Sequence, residues 1–253
     1  MLELWKLIKQ KGRMFIKIMI QNALQKRGWE LRKIKPPRTE MMDALKWLRE
    51  SGINITTVLD VGASNGSWTR ICSSVYPEAN YLMFEANPVH FQALNSFAYA
   101  SENRAADCRA VGPGVGKIHF DARDPLGGGL VPDGKNVHAI EVPMVTLDHS
   151  IKETGWGGPY LIKLDTHGFE KGILAGALDT LENTNALVVE CYNFKINKSA
   201  LKFWEFCDHI VKIGFRPVRI VDVMNRKRDR ALWQMDLVFV RNDWEGFSYA
   251  GFQ

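Results

Sequence analysis

The chain reads as an α/β protein: a doubly wound, mostly parallel sheet closed by an antiparallel terminal hairpin and preceded by a helical arm. Three observations carry this reading. Short apolar segments recur at intervals filled by helix-compatible stretches, the pattern of right-handed crossovers with helices on both faces of a sheet. The first two segments each end in an acid, Asp60 and Glu85. The first also runs into a small-residue turn, Gly62-Ala63-Ser64-Asn65-Gly66, just ahead of a helix-compatible stretch. Ligands of such sheets lie outside the carboxyl ends of the strands.

The arm, residues 1–38, ends at Pro36-Pro37, since proline removes a donor and biases the residue before it away from helix. Residues 1–35 hold ten Lys/Arg and two Glu, which leaves 23 basic and 26 acidic residues to the rest of a chain of net charge +5. The basic excess therefore belongs to the arm. Leu4, Leu7, Ile8, Phe15, Ile18, Met19 and Leu24 recur at near-helical spacing among Lys6, Lys9, Arg13 and Lys17, as in an interfacial amphipathic helix. Two kinds of partner fit: an anionic membrane surface met through residues 1–35, or the domain itself or a second subunit, which would give a homodimer. No nucleic acid is expected, because no aromatics alternate with the basic residues as a stacking platform requires.

Residues 39–253 form the second domain. Met42, Leu45 and Leu48 place a helix over about 39–49, followed by strand one over 56–60 and strand two over 81–85. A helix runs from Pro88 to about Phe97, and strand three lies near Cys108–Val111. Gly112–Gly116 then reads as the turn of a hairpin returning through 117–120. The stretch 121–136 around Gly127-Gly128-Gly129 reads as a substrate-gating loop, and 141–148 as a strand and turn. Strand four is 160–165, its helix runs over about 169–183, and strand five is 186–190. A helix over 200–213 precedes the closing strands 216–222 and 235–240.

With 46% hydrophobic and 24% charged residues, 253 residues suffice for one sizeable core. Cys72, Cys108, Cys191 and Cys207 are widely spaced without a C-x-x-C pair, and read as reduced thiols. Lys17 interrupts the apolar run 14–20, and no run reaches the roughly 18 residues of a spanning helix. The expected location is cytoplasmic, with the arm offering peripheral contact at the inner membrane face.

The turn after strand one narrows the ligand. A dinucleotide fingerprint needs three glycines where only Gly62 and Gly66 stand, and the lysine of a phosphate-binding loop is missing. A carboxylate at Asp60 repels phosphate but pairs with a cationic amino-acid moiety. That points to S-adenosyl-L-methionine, whose ammonium and sulfonium are positive. Asp60 and the turn Gly62, Ala63, Ser64 and Gly66 are expected to hold its methionine part. Glu85 is expected at the ribose, with Ala86 and Asn87 beside it toward the adenine edge.

The D-V-G-A-S-N-G turn, the F-E-A-N-P strand end and the segment Leu161–Glu170, read as L-I-K-L-D-T-H-G-F-E, together resemble the FkbM family of S-adenosylmethionine-dependent methyltransferases. The last segment, followed by an apolar strand ending in Glu190, is the most diagnostic, and the resemblance covers about residues 55–240. It implies a Rossmann-like class I methyltransferase sheet and O-methylation of a hydroxyl on a sugar, a glycan or a related secondary metabolite. His167 departs from the family's motif, where a Gln or an acidic residue is expected.

Methyl transfer to an alcohol needs a general base, because the hydroxyl must lose its proton as the new bond forms. Asp165 and His167, at the end of strand four, are the candidate catalytic residues; a neutral imidazole is suited to the task. The alternative is that both only cap the following helix. A divalent metal on Asp165, Glu190 and Asn193 would also suit oxygen ligands, yet none is expected. A nucleic-acid aminomethyltransferase would show an Asp/Asn-Pro-Pro-aromatic turn, unlike Asp165-Thr166-His167-Gly168. From another class, a non-catalytic scaffold on the same fold at a membrane surface is the alternative; the intact Asp60, Gly62 and Glu85 weigh against it.

Overall fold

The structure, a computed structural model, describes residues 40–125, 127–131 and 138–252. The expected arm over 1–38 lies outside the described residues, as do 126 and 132–136 of the expected gating loop. Helix α1 (Glu40–Glu50) leads into β1 (Thr57–Val61), α2 (Ser67–Val75), β2 (Asn80–Phe84), α3 (Phe91–Ala98) and β3 (Arg104–Asp107). Four strands follow: β4 (Ala110–Val111), β5 (Gly116–Asp121), β6 (Gly129–Leu130) and β7 (Ala139–Val145). The chain continues through α4 (Leu147–Thr154), β8 (Tyr160–Leu164), α5 (Glu170–Ala175), α6 (Leu178–Glu182) and β9 (Thr184–Tyr192). It closes with α7 (Phe203–Lys212), β10 (Phe215–Asn225) and β11 (Leu232–Arg241).

The main sheet has seven strands in the order β10-β11-β9-β8-β1-β2-β3. Strands β3, β2, β1, β8 and β9 are parallel, and β11 and β10 add antiparallel at one edge. The expected fold class is the one found. Strands β1 and β8 are buried along their whole length, as parallel strands covered on both faces must be. Side chains alternate between the faces. Val58, Leu161, Val188 and Val238 pack against Met41, Leu45 and Leu48 of α1 and Trp68 and Cys72 of α2. Leu59, Ile162, Leu187 and Leu237 pack on the other face with Ile173 of α5 and Phe206 and Ile210 of α7. Asp60, Lys163, Glu190 and Asp236 share the parity of the first set, so charge is carried into the face that α1 and α2 cover. Asp60 is the register partner of Lys163, and Glu190 of Asp236.

Several elements differ from expectation. Strand three is Arg104–Asp107, paired with Tyr81–Phe84, rather than 108–111. Ala110 and Val111 instead begin a second sheet in the order β4-β7-β5-β6. In it β7 lies between β4 and β5, so the hairpin expected through Gly112–Gly116 does not form. The glycine-rich stretch contributes β6, which pairs with Phe120 and Asp121. The strand and turn expected over 141–148 extend into an unforeseen helix, α4, which Thr146 caps by accepting from His149 N at 3.1 Å. The single helix expected over 169–183 is two, because the chain at Gly176 presses on Gly112: a Cβ at 176 would lie 2.3 Å from the Gly112 carbonyl oxygen. Asp148 then restarts the helix by accepting from Thr180 N at 2.8 Å and Asp179 N at 3.2 Å.

Candidate active site

A cavity of about 240 Å³ opens at the carboxyl ends of β1, β2 and β8. Val61–Ser64, Ser67 and Trp68 form one wall, and Phe84–Asn87 a second. Lys163 and Asp165–His167 form a third, and the second sheet contributes Ala110, Val111, Phe120 and Gly129.

The first two walls are fixed by backbone. Gly62 adopts φ +81°, and a Cβ there would lie 2.0 Å from the Asp165 carbonyl oxygen, so only hydrogen fits. Asp165 N in turn donates to Val61 O at 3.0 Å. Glu85, 8% exposed, accepts from Ser64 N at 2.7 Å through Oε2 and from Asn87 N at 2.6 Å through Oε1. Each carboxylate oxygen keeps a second acceptor position for a ligand hydroxyl. Asn87 caps the short turn Pro88–His90 and donates through Nδ2 to Asp124 O at 3.4 Å. His90 Nε2 lies 2.7 Å from Pro125 O and 3.3 Å from Ser64 Oγ, tying the second sheet's long connection to the Gly62–Gly66 turn.

Of the residues expected to bind cofactor, Gly62, Ala63, Ser64, Glu85, Ala86 and Asn87 meet in this cavity, and Asp60 and Gly66 do not line it. Asp60 sits inside β1 with its side chain on the α1–α2 face, fully buried. Its Oδ2 accepts from Thr69 Oγ1 at 2.6 Å, and its Oδ1 has no hydrogen-bond partner among the described residues. Burial pushes its carboxyl above the usual range, against the pull of Lys163. The carboxylate, one residue before the end of β1, is taken up by Thr69 of α2. Gly66 instead begins α2 at φ +79°, where a Cβ would meet Phe97 Cδ1 at 2.7 Å. Trp68, not foreseen, stands in the wall with its indole N–H buried and without a partner among the described residues. Its place just after Gly66-Ser67, on the first turn of the helix, was the available signal.

The third wall is held by side chains. Lys163, also unforeseen though it stands in the I-K-L-D motif, lies 2.7 Å from Asp165 Oδ2 and is 5% exposed at its side chain. Burial disfavours its charged form, yet Asp165 and Asp60 outweigh that and raise its pKa. Burial likewise opposes the Asp165 carboxylate, and Lys163 reverses the sign and lowers its pKa. His167 Nδ1 lies 2.9 Å from Tyr192 Oη, and Tyr192 donates to Glu190 Oε2 at 2.5 Å. Gln234 Nε2 donates to Glu190 Oε1 at 2.5 Å. Tyr192 Oη donates to Glu190 and its lone pair accepts from His167 Nδ1–H, which orients the imidazole. Burial, then Glu190, holds the Tyr192 phenol above its usual range, so it stays protonated. His167 has φ +53°, an uncommon conformation for a non-glycine residue, maintained by Asn197 Nδ2 donating to its carbonyl at 2.6 Å. Tyr192 shares a strand face with Glu190 two positions earlier, the period-two signal that marks it.

Asp165, His167 and Glu190 each offer an atom within 4.8 Å of the others, a set with the right donors for a cation. Asn193, expected in that set, donates instead to Leu232 O at 3.1 Å. Lys163 donates to Asp165 Oδ2, and Tyr192 and Gln234 donate to the two Glu190 oxygens, so both carboxylates are oriented by neighbouring side chains.

Strand order, glycine turn and the acid after β2 define a Rossmann-like methyltransferase of class I. Residues 60–217 match the methyltransferase FkbM domain. The chain belongs to the FkbM family of S-adenosylmethionine-dependent methyltransferases. Among solved structures it is similar to magnesium protoporphyrin IX methyltransferase from Synechocystis PCC 6803 with bound S-adenosylmethionine. That match has 13% identity and a TM-score of 0.46, over 79% of this chain and 77% of that one. It is also similar to the N-methyltransferase NodS from Bradyrhizobium japonicum WM9, with 11% identity and a TM-score of 0.45 over 80% and 94%. No relative was found among curated proteins. No helix among the described residues is long and apolar enough to cross a membrane.

Proposed function

We propose that this methyltransferase acts on oxygen, methylating a hydroxyl of a sugar, a glycan or a related secondary metabolite. The observation that carries the reading is the His167–Tyr192–Glu190 chain, which orients an imidazole in the cavity wall. An alcohol needs such a base. Bound S-adenosylmethionine supplies an electrophilic methyl group on a positively charged sulfur.

The cavity fits that cofactor. Glu85, with both oxygens oriented by amides, accepts the ribose hydroxyls through its remaining lone pairs. The Gly62–Ser64 backbone passes close to the ligand, and the unpartnered Trp68 Nε1 offers a donor to its carboxylate. Val111 and Phe120 provide apolar flanks for the adenine. On the acceptor side, His167 Nε2 takes the hydroxyl proton, and the Glu190 charge reaches the resulting imidazolium through Tyr192. Asp165 positions the acceptor and is kept ionised by Lys163.

Titration calorimetry with S-adenosylhomocysteine tests the cofactor half: Glu85→Ala should weaken binding by about a hundredfold, the loss of two hydrogen bonds to a charged acceptor. A screen of sugar acceptors tests the rest, with His167→Gln expected to lower kcat while leaving cofactor affinity unchanged. Turnover of amine acceptors alone would refute the oxygen assignment.

A further inference from the structure

The connection from β9 to α7, residues 193–202, is anchored at both ends. Asn193 N donates to Trp233 O at 2.9 Å and Asn193 Nδ2 to Leu232 O at 3.1 Å, which fixes its start on β11. At its close, Lys202 forms a parallel bridge with Tyr192, and Lys202 N donates to Glu205 Oε2 at 2.9 Å as α7 begins. Ala200 is buried, and a Cβ added at Gly168 would lie 2.5 Å from the Ala200 Cβ. The connection therefore rests directly on the turn that carries His167.

That turn is demanding. His167 at φ +53° and Gly168 at φ +96° are consecutive left-handed residues, and the β-carbon of His167 opposes the conformation. Glu170 steadies the flanks, its Oε1 accepting from Gly168 N at 2.9 Å and from Thr166 Oγ1 at 3.2 Å. Neither bond grips the His167 carbonyl. Asn197 does so, with Nδ2 donating to that oxygen at 2.6 Å. Asn197 Oδ1 accepts from Ser199 N at 3.0 Å, Ser199 Oγ at 2.9 Å and Ala200 N at 2.8 Å, so the amide is oriented with its donor toward His167. One half of the amide builds the connection and the other half reaches the turn. The His167 ring is held separately, by Tyr192. Backbone and ring thus have different partners, and a conformation that disfavours itself persists only while both hold.

We propose that Asn197 is a positioning residue for methyl transfer: its amide selects the left-handed His167 peptide from which the imidazole meets Tyr192 and the cavity. The inference rests on the reading of His167 as the base. Without the Asn197 donor, the peptide at 167 relaxes to negative φ and the direction of the His167 side chain changes with it. The ring then leaves Tyr192 Oη. An imidazole released from an acceptor at Nδ1 reverts toward the form protonated at Nε2, because the hydrogen bond at one ring nitrogen sets the state of the other.

The test uses the full chain with ¹⁵N-labelled histidine, saturated with S-adenosylhomocysteine at about pH 8.5, where an ordinary imidazole is neutral. Long-range proton–nitrogen correlations read which ring nitrogen carries the proton, and His167→Gln assigns the His167 signals. Wild type should show His167 protonated at Nδ1. Asn197→Asp keeps an acceptor for Ser199 and Ala200 and removes only the donor to His167. It should move His167 toward the Nε2-protonated form, with S-adenosylhomocysteine affinity and the urea unfolding midpoint unchanged. Asn197→Ala, which adds no charge beside the ring, should give the same change of tautomer. Retention of the Nδ1 proton in either variant would overturn the proposal. So would loss of cofactor affinity together with the tautomer in Asn197→Asp, which would leave the residue a structural role alone. A wild-type ring lacking the Nδ1 proton would remove the base reading itself, whereas a wild-type Nδ1 proton that both variants keep would remove only the role of Asn197.

Discussion

The two ends of the cavity are built from different materials. At the end proposed for the cofactor, backbone does the positioning: amides of Ser64 and Asn87 orient Glu85, and the Gly62 backbone rests on the Asp165 carbonyl. At the end proposed for the acceptor, side chains position one another, as Lys163 does Asp165 and as Gln234, Glu190 and Tyr192 do His167. A backbone-built end is stiff and indifferent to pH. An end built from ionisable side chains can be retuned by one substitution, and its stability depends on protonation.

The most severe way to break the contrast is Gly62→Ala. The new Cβ would lie 2.0 Å from a carbonyl oxygen at a positive φ, so β1 and β8 must part. The expected cost is about 3 kcal/mol or more in urea unfolding, with cofactor binding lost. A variant of wild-type stability would show that the cofactor end yields and that the contrast is false.

Asp236→Asn sharpens the other side. Burial raises the Asp236 carboxyl from 3.8 to about 7, against the pull of Lys163, with Asp165, Glu190 and Asp222 adding to the rise. The folded chain thus keeps a proton that the unfolded chain releases, so this group's contribution to stability falls as pH rises from about 4 to about 7. The Asn variant lacks that loss. Relative to wild type it should gain roughly 2 kcal/mol between pH 4.5 and pH 8, a figure reduced from the full shift because the side chain is only half-buried. Parallel denaturation curves at the two pH values decide it; a constant difference would place the titration elsewhere.

Glu190→Gln has the smallest expected effect, on tuning rather than folding. Removing the carboxylate that accepts from Tyr192 and lies 3.4 Å from His167 Nδ1 should lower kcat about tenfold with S-adenosylhomocysteine affinity unchanged. Steady-state kinetics beside calorimetry read it, and an unchanged kcat would disconnect Glu190 from His167.

The same contrast governs what the sequence reveals. Gly62, Ser64, Glu85 and Asn87 lie within two short segments, where strand, turn and acid fall in a fixed order, so their meeting follows from local pattern. Lys163, Tyr192 and Gln234 come from three strands, and their meeting depends on the register of β8, β9 and β11, which no local pattern encodes. Asp60 shows the limit within a motif, since its carboxylate turns to Thr69 of α2 while Lys163, its register partner on the same face, reaches the cavity. The second sheet was hidden for a related reason: β4 and β5 are near in sequence but pair with β7 between them.

That second sheet also bears on engineering. It supplies Val111, Phe120 and Gly129 to the cavity, and its long connection is tied to the cofactor turn through His90 and Pro125. A graft of residues 110–145 from another enzyme, intended only to change acceptor choice, would rebuild part of the cofactor's enclosure as well. The segment is not an interchangeable cassette: exchanging it alters two affinities together, and directed evolution of one must be screened against drift in the other.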